Sequence, residues 1–240
     1  MMSLSRFTTS GALALLVIAN LIAIPVALIN PDVFSSRIAQ EDGLIEYLTA
    51  IFLFAAALVL ALRGVQLLRL RHHIRAGLTW LYALLYTFVA GEEISWGQRI
   101  FGWQSSDFFV ANNQQAETNL HNLVIGQEQL ASTLFGNWLT PVLLMYLVVL
   151  PLLYPRAAWV RRTAASLAVP VPRAMHAWLA IGASLVMVAI TGVYRQYELY
   201  EYSFSLISLL IFVRPQNPGL YGRAAPEARA WFGEQVRPAE

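Results

Sequence analysis

Six long apolar stretches constrain this chain most, because each is close to the length that a helix needs to cross a lipid bilayer. A helix of about 20 residues spans the hydrocarbon core, which is about 30 Å thick. The stretches cover residues 11–30, 44–62, 78–91, 139–154, 176–193 and 199–213. They predict an all-α, polytopic membrane protein of about six transmembrane helices, forming one domain over residues 1–213, with a cytoplasmic tail over residues 214–240.

The composition agrees with a membrane protein and excludes several other classes. Of the 240 residues, 58% are hydrophobic and only 12% are charged, about half the charged share of soluble domains. The chain has no cysteine, which excludes disulfide-stapled folds and thiolate metal sites. All 16 basic residues are arginine, so lysine nucleophiles are excluded. The net charge of +2 is not gathered on one solvated face, so we expect no nucleic-acid partner.

The charged residues predict the orientation of the six spans. Short cytoplasmic loops of membrane proteins are enriched in arginine and lysine. In a six-span arrangement, all arginines except three fall on one side, which places both termini in the cytoplasm; the exceptions are Arg37, Arg99 and Arg195. The acidic residues do the reverse, and only three lie on the arginine-rich side: Glu227, Glu234 and Glu240. This gathering of carboxylates on the outer side is the first indication of function.

The longest connection, the outer-side loop over residues 92–138, carries two polar motifs. The first reads GEEISWGQRIFGW from residue 91, and the second reads ETNLHN from residue 117. Loops of this length without secondary structure are uncommon and often functional. Leucines at helical spacing predict an amphipathic helix from residue 116: Leu120, Leu123, Leu130 and Leu134. The opposite face of this helix would carry Glu117, His121 and Glu128.

Carboxylates also lie at the outer-side ends of three of the predicted spans. In the sixth span, one polar line runs through Glu198, Glu201, Ser205 and Ser208. Glu46 lies one turn into the second span, and Glu93 shares a face of the third with Tyr82 and Tyr86. Carboxylates within a membrane are costly and normally face a bundle interior or a water-filled cavity. Four separate regions therefore deliver carboxylates to one depth, near the outer leaflet.

These residues predict a membrane-embedded enzyme with a carboxylate and histidine site at the outer leaflet. A divalent metal ion suits an oxygen-rich shell with one imidazole, and the predicted ligands are Glu46, Glu93, Glu117, His121 and Glu201. The predicted catalytic residues are Glu92 as general base, Glu93 and His121. Substrate contacts are assigned to Arg99, Arg195, Asn119 and Asn122. The expected reaction is hydrolysis or group transfer on a lipid or lipid-linked substrate, and membrane lipids are the expected partners.

Other interpretations remain open. Glu92 and Glu93 would then be carboxylates that reach water from a helix end. His121 would be a histidine that stabilises the loop, and Glu198 and Glu201 would form ion pairs with Arg195. At the level of function, the alternatives are a transporter-like protein that binds an ion or small molecule, and a non-catalytic membrane subunit that docks a partner. Spatial convergence of the outer carboxylates and His121 favours a site, whereas scatter around the rim favours docking.

The two loop motifs resemble a signature that recurs in a family of multi-pass bacterial membrane proteins. The resemblance covers residues 91–123 and implies a bacterial inner-membrane setting, but no activity. The pair Glu92 and Glu93, followed by Arg99, is also similar to the first element of CAAX-type intramembrane proteases, with His121 and Asn122 in place of later elements. The chain departs from that pattern because Arg99 lies farther from the pair and a second outer-side histidine is lacking.

Overall fold

A computed structural model describes residues 2–125, 128–130 and 140–222 of the chain. Helices dominate these residues, which confirms the all-α prediction. The helices are α1 (Met2–Ile29), α2 (Pro31–Val33), α3 (Leu44–Arg69), α4 (His73–Glu93), α5 (Gln98–Phe101), α6 (Asp107–Asn112), α7 (Thr140–Leu144), α8 (Leu150–Leu153), α9 (Ala158–Ser166), α10 (Ala174–Ala189) and α11 (Gln196–Val213). Shorter pieces are the π-helical segments Phe34–Ile38 and Met145–Val149, the 3-10 turns Ser95–Gly97 and Pro218–Tyr221, and the paired strands β1 (Val124–Ile125) and β2 (Glu128–Gln129).

Three helices in the described part of the chain are long and apolar enough to cross a membrane. They are Thr9–Ile29 within α1, Leu44–Arg69 and His73–Glu93. In the most apolar window of each, at most 33% of the residues are buried inside the protein, and large side chains such as Leu21, Leu62 and Leu84 are exposed. Extensive exposed apolar surface marks an interaction with a membrane or a partner. These helices are therefore compatible with a membrane location.

The other three apolar stretches also form helical structure, at the places that the sequence predicts. The fourth is interrupted by the π-helical segment and is described only from Thr140, and α10 has 16 residues. Helix α11 has 18 residues and carries Glu198 and Glu201 near its start. Because a span needs about 20 apolar residues, these lengths do not by themselves establish six spans.

Helix α11 forms the centre of the bundle and packs against α1, α3 and α10. Every residue from Ser205 to Phe212 is buried, as expected for a helix that is apolar on all sides. Its hydroxyls are satisfied locally, because Ser203 donates to Leu199 O at 2.9 Å and Ser205 donates to Tyr202 O at 2.7 Å. The serines therefore allow close packing without leaving unpaired polar atoms.

The arginine-rich end of the bundle is closed by two connections that bond to each other. Asn217 accepts from the Val171 backbone N–H at 2.8 Å and donates to Val169 O at 2.9 Å. The guanidinium of Arg63 lies 4.2 Å from the ring centre of Tyr221, and burial raises the pKa of Tyr221 to about 12 although Arg63 opposes this shift. We call these two bonded connections the inner plug (residues 167–173 and 214–221), after the cytoplasmic side that the arginines predict for them.

The predicted amphipathic helix from residue 116 is wrong. Residues 113–123 form turns and an isolated bridge between Asn113 and Leu123, and strands β1 and β2 follow. Asparagine side chains compete with helical hydrogen bonding, and the Asn113 side chain here accepts from the backbone N–H groups of Gln115 and Glu117. Leu134 lies outside the described residues, and the helices in the described part of this loop are the short α5 and α6.

Candidate functional site

The site begins with a sharp turn directly after α4. Ser95, Trp96 and Gly97 have φ angles of 46°, 56° and 77°. Left-handed conformations are unfavourable for residues other than glycine and persist only where surrounding contacts enforce them. Glu92, before the turn, and Glu117, in the loop after it, supply these contacts. The turn redirects the chain at the outer end of the helix.

Glu92 is one of these glutamates, and it is buried and fully engaged. Its Oε1 accepts from the Trp96 indole Nε1 at 2.8 Å, and its Oε2 accepts from the Leu120 backbone N–H at 2.5 Å. The same Oε2 lies 3.8 Å from Nδ1 of His121. Glu92 therefore joins the end of α4 to the second loop motif.

Glu117 is the second such glutamate, and it is also buried. It accepts from the hydroxyl of Ser95 and forms an ion pair with Arg99. Arg99 pairs with Asp42 as well. Burial lowers the pKa of Arg99, but attraction to Glu117 and Asp42 outweighs this effect, so the pKa lies above its ordinary value.

Asn119 completes this arrangement. It is only 2% exposed, and its Nδ2 donates to Ser95 Oγ at 2.8 Å and to Glu117 at 3.3 Å. Its Oδ1 accepts from Asn113 Nδ2 at 2.8 Å and from the Asn122 backbone N–H at 3.2 Å. We call the set formed by Glu92, Ser95, Arg99, Glu117 and Asn119 the loop network.

His121 lies beside the loop network and is partly exposed. Asn122 Nδ2 donates to Gln115 Oε1 at 2.9 Å and lies 3.0 Å from Nε2 of His121. Since an amide N–H can only donate, Nε2 acts as acceptor and Nδ1 is the nitrogen that carries the proton towards Glu92. A carboxylate behind Nδ1 orients an imidazole in this way in many sites.

A second group of glutamates lies on the helices. Glu93 on α4 repels Glu201 and Glu198 on α11, and Glu198 is in electrostatic reach of His121. Within the described part of the chain, no hydrogen bond or ion pair engages the side chains of Glu93, Glu198 or Glu201. We call these three residues the helix carboxylates.

Two further predicted residues have local partners. Glu46 repels Glu93, but its Oε2 accepts from the Asp42 backbone N–H at 2.6 Å, which ties the first turn of α3 to the residue before its N-cap, Gly43. Arg195 pairs with Glu41 at 2.6 Å. Burial lowers the pKa of Arg195, but its bond to Glu41 outweighs this and the net shift is upward.

The predicted site residues thus lie at one end of the bundle but in distinct surroundings. Glu93 and Glu201 face each other, Glu92 pairs with His121, and Glu117 and Asn119 belong to the loop network with Arg99. Among the residues that the structure describes, no three histidine or acidic side chains are already grouped to hold a metal ion. Arg195 lies by Glu41 and is in electrostatic reach of Glu198.

Sequence reasoning missed four contributors: Asp42, Ser95, Trp96 and Asn113. The indole of Trp96 bonds to Glu92. The available signal was the placement of Ser95 and Trp96 directly after two glutamates that end an apolar span. Asn113 and Asp42 gave no periodic signal, because their partners lie in other turns.

No protein-family model, curated protein or solved structure matches the chain. The resemblance of the loop motifs to a bacterial membrane-protein family therefore stays a prediction.

Proposed function

We propose that the protein is a membrane-embedded enzyme whose site lies at the outer end of the bundle. The observation that carries this proposal is the group of helix carboxylates, which are in electrostatic reach of one another and, through Glu198, of His121. Neighbouring like charges favour a compensating proton, cation or ligand group. If the helix carboxylates only stabilised the fold, we would expect them to have hydrogen-bond or ion-pair partners, as the glutamates of the loop network do.

The proposal includes six spans with both termini in the cytoplasm of a bacterial inner membrane. It rests on the arginine distribution, because the loops between the second and third stretches and between the fourth and fifth stretches are rich in arginine. The apolar stretches that are too short as helices are completed in this arrangement by flanking residues or by local thinning of the bilayer. The helix carboxylates then lie near the outer headgroups.

The residues take different roles in this enzyme. Glu92 is already engaged by Trp96 and Leu120, which suits a positioning carboxylate for His121 better than a general base. His121 is the general base that we propose, and Glu93, whose carboxylate has no bonded partner among the described residues, is kept as a metal ligand.

A divalent cation is the cofactor that fits this chemistry best. The helix carboxylates are hard oxygen donors with no bonded partner among the described residues, and such donors suit Mg²⁺, Ca²⁺ or Mn²⁺. We propose Glu93, Glu198 and Glu201 as ligands, with His121 at the edge. An ion held by these residues would supply Lewis-acid polarisation of a phosphoryl or carbonyl oxygen, so the proposed reaction is hydrolysis or group transfer on a lipid or lipid-linked substrate.

Metal content and lipid composition test this proposal together. We expect the detergent-purified protein, prepared without chelators, to carry about one divalent ion per chain by mass spectrometry, and Glu93→Gln to lose it. Membranes that contain the wild-type protein should differ in one lipid class from membranes that contain Glu93→Gln or His121→Ala. Asp107→Asn, an exposed carboxylate of the same loop, is the matched control and should behave as wild type.

The same carboxylates also support the alternative function of ion binding. Carboxylates without a bonded partner among the described residues would hold an ion even if the protein catalysed no reaction. The inner plug argues against a path through the protein, since both of its connections are bonded across the inner end. Metal loss in Glu93→Gln with unchanged lipid composition would favour ion binding. No metal and no lipid change in any variant would contradict both functions and favour a docking subunit.

A further inference from the structure

Large apolar side chains are exposed on the outer-side loop between α4 and Asn113. Their exposed fractions are 55% for Ile100, 79% for Phe101, 38% for Trp103, 57% for Phe108 and 55% for Val110. We call these five residues the apolar loop face. Monomeric soluble proteins rarely expose a contiguous apolar patch without a partner for it.

Two polar side chains of the same segment bond inward, while its large apolar side chains stay exposed. Gln98 Oε1 accepts from Ser105 Oγ at 2.8 Å and from the Thr118 backbone N–H at 2.9 Å. Ser105 Oγ also lies 2.9 Å from the Thr118 hydroxyl. A loop in water turns its large apolar groups inward, so the exposure of five of them in one short segment indicates an apolar surrounding.

The apolar loop face continues the outward-facing surface of α4. Phe88 on α4 is exposed, and its ring lies 5.5 Å from that of Trp96 in an edge contact. The next contact is at Gly97, where an added Cβ would lie 2.9 Å from the Phe101 ring. Phe101 therefore packs against the turn and extends the exposed strip of the span into the loop.

Charge limits what the apolar loop face can contact. Between residues 100 and 112, the sequence has no basic residue and one acidic residue, Asp107. Asp107 lies with Gln104 and Ser106 in a short exposed polar stretch between the two apolar parts. This alternation suits a segment that lies along a membrane surface, with its rings among acyl chains and the polar stretch on the water side of the headgroups.

We propose that the apolar loop face inserts into the outer leaflet of the bilayer. The turn at Ser95–Gly97 and the Arg99 ion pairs hold the segment beside the end of α4, so the insertion sets the depth of Glu92 and His121 relative to the headgroups. This proposal goes beyond the proposed function, because it depends on the polarity of the loop and not on any reaction.

Because the chain has no cysteine, a single introduced cysteine can be spin-labelled at one known position. Single substitutions Phe101→Cys and Phe108→Cys would carry a nitroxide, in protein reconstituted into vesicles of phosphatidylcholine and phosphatidylglycerol. Leu62→Cys, on the exposed face of α3, is the membrane reference, and Gln104→Cys is the water reference. The measurement is the ratio of collision rates with oxygen and with a water-soluble nickel complex.

We expect both loop labels to show an oxygen-to-nickel ratio several-fold above that of Gln104→Cys and close to that of Leu62→Cys. Nickel access equal to that of Gln104→Cys would overturn the proposal. Exclusion of both oxygen and the nickel complex would also overturn the proposal. Dipolar broadening between nitroxides on two chains would then show that a second copy covers the apolar loop face. If Phe101→Cys fails to fold by size exclusion, Phe108→Cys still decides the question.

Discussion

The loop network and the helix carboxylates contain the same residue type at the same end of the molecule, yet their surroundings are opposite. Glu92 and Glu117 are buried, and each accepts from donors in distant parts of the loop. Glu93, the neighbour of Glu92 in sequence, has no bonded partner among the described residues and instead repels Glu198 and Glu201. The comparison separates carboxylates that hold the fold together from carboxylates that are available for chemistry.

The strongest test of the loop network is Asn119→Leu. This substitution removes the hydrogen bonds that the buried amide makes to Ser95, Glu117, Asn113 and the Asn122 backbone N–H, and each such bond contributes about 0.5–1.5 kcal/mol. We expect a loss of about 3 kcal/mol in the free energy of unfolding, measured by thermal unfolding in detergent. Gln114→Leu, exposed in the same loop, is the control and should change little. Equal effects of the two substitutions would mean that the network does not stabilise the loop.

Glu117→Gln should have the next largest effect. It removes one partner of a charge pair and leaves Arg99 with Asp42 alone. Because the Arg99 side chain is 44% exposed, solvent screens part of the loss, and we expect about 2 kcal/mol. Thermal unfolding again reports the change. A variant as stable as wild type would show that the ion pair contributes nothing measurable.

Glu93→Gln should change the free energy of unfolding in the opposite direction. In protein stripped of divalent ions with a chelator, it removes one of several mutually repelling carboxylates without breaking a hydrogen bond among the described residues, so we expect unchanged stability or a gain of about 1 kcal/mol. The contrast with Glu117→Gln is the direct test of the division between the two groups. If Glu93→Gln lowers the unfolding temperature as much as Glu117→Gln does, the helix carboxylates are structural and the proposed enzyme site is wrong.

The smallest expected effect belongs to Glu41→Gln, which breaks the ion pair with Arg195. Both side chains are partly exposed, so the expected cost is at most about 1 kcal/mol. The difference from wild type should shrink further at high salt, because salt screens exposed charge pairs. Unfolding curves at low and high ionic strength measure this. A large loss that salt does not reduce would place Arg195 within the site itself.

Much of the architecture was predictable because helix formation follows local patterns. Apolar stretches of sufficient length formed helices where they were expected, and the glutamates after residue 91 did lie at a helix end. The helix from residue 116 was predicted wrongly, because the leucine spacing was weighed without the asparagines. Asn113 and Asn119 bond to the loop itself, so their side chains stabilise turns where the periodic pattern favours a helix.

The sequence by itself determined that the chain is helical, that its helices are apolar enough for a membrane, and that its carboxylates lie at the end opposite to most arginines. Only the tertiary structure decided which carboxylates are bonded. Leu120 lies 28 residues from Glu92, and Asp42 lies 57 residues from Arg99, distances at which no local pattern carries information. Hydrogen bonds are short and directional, so the roles of neighbours such as Glu92 and Glu93 depend on how remote turns meet in space.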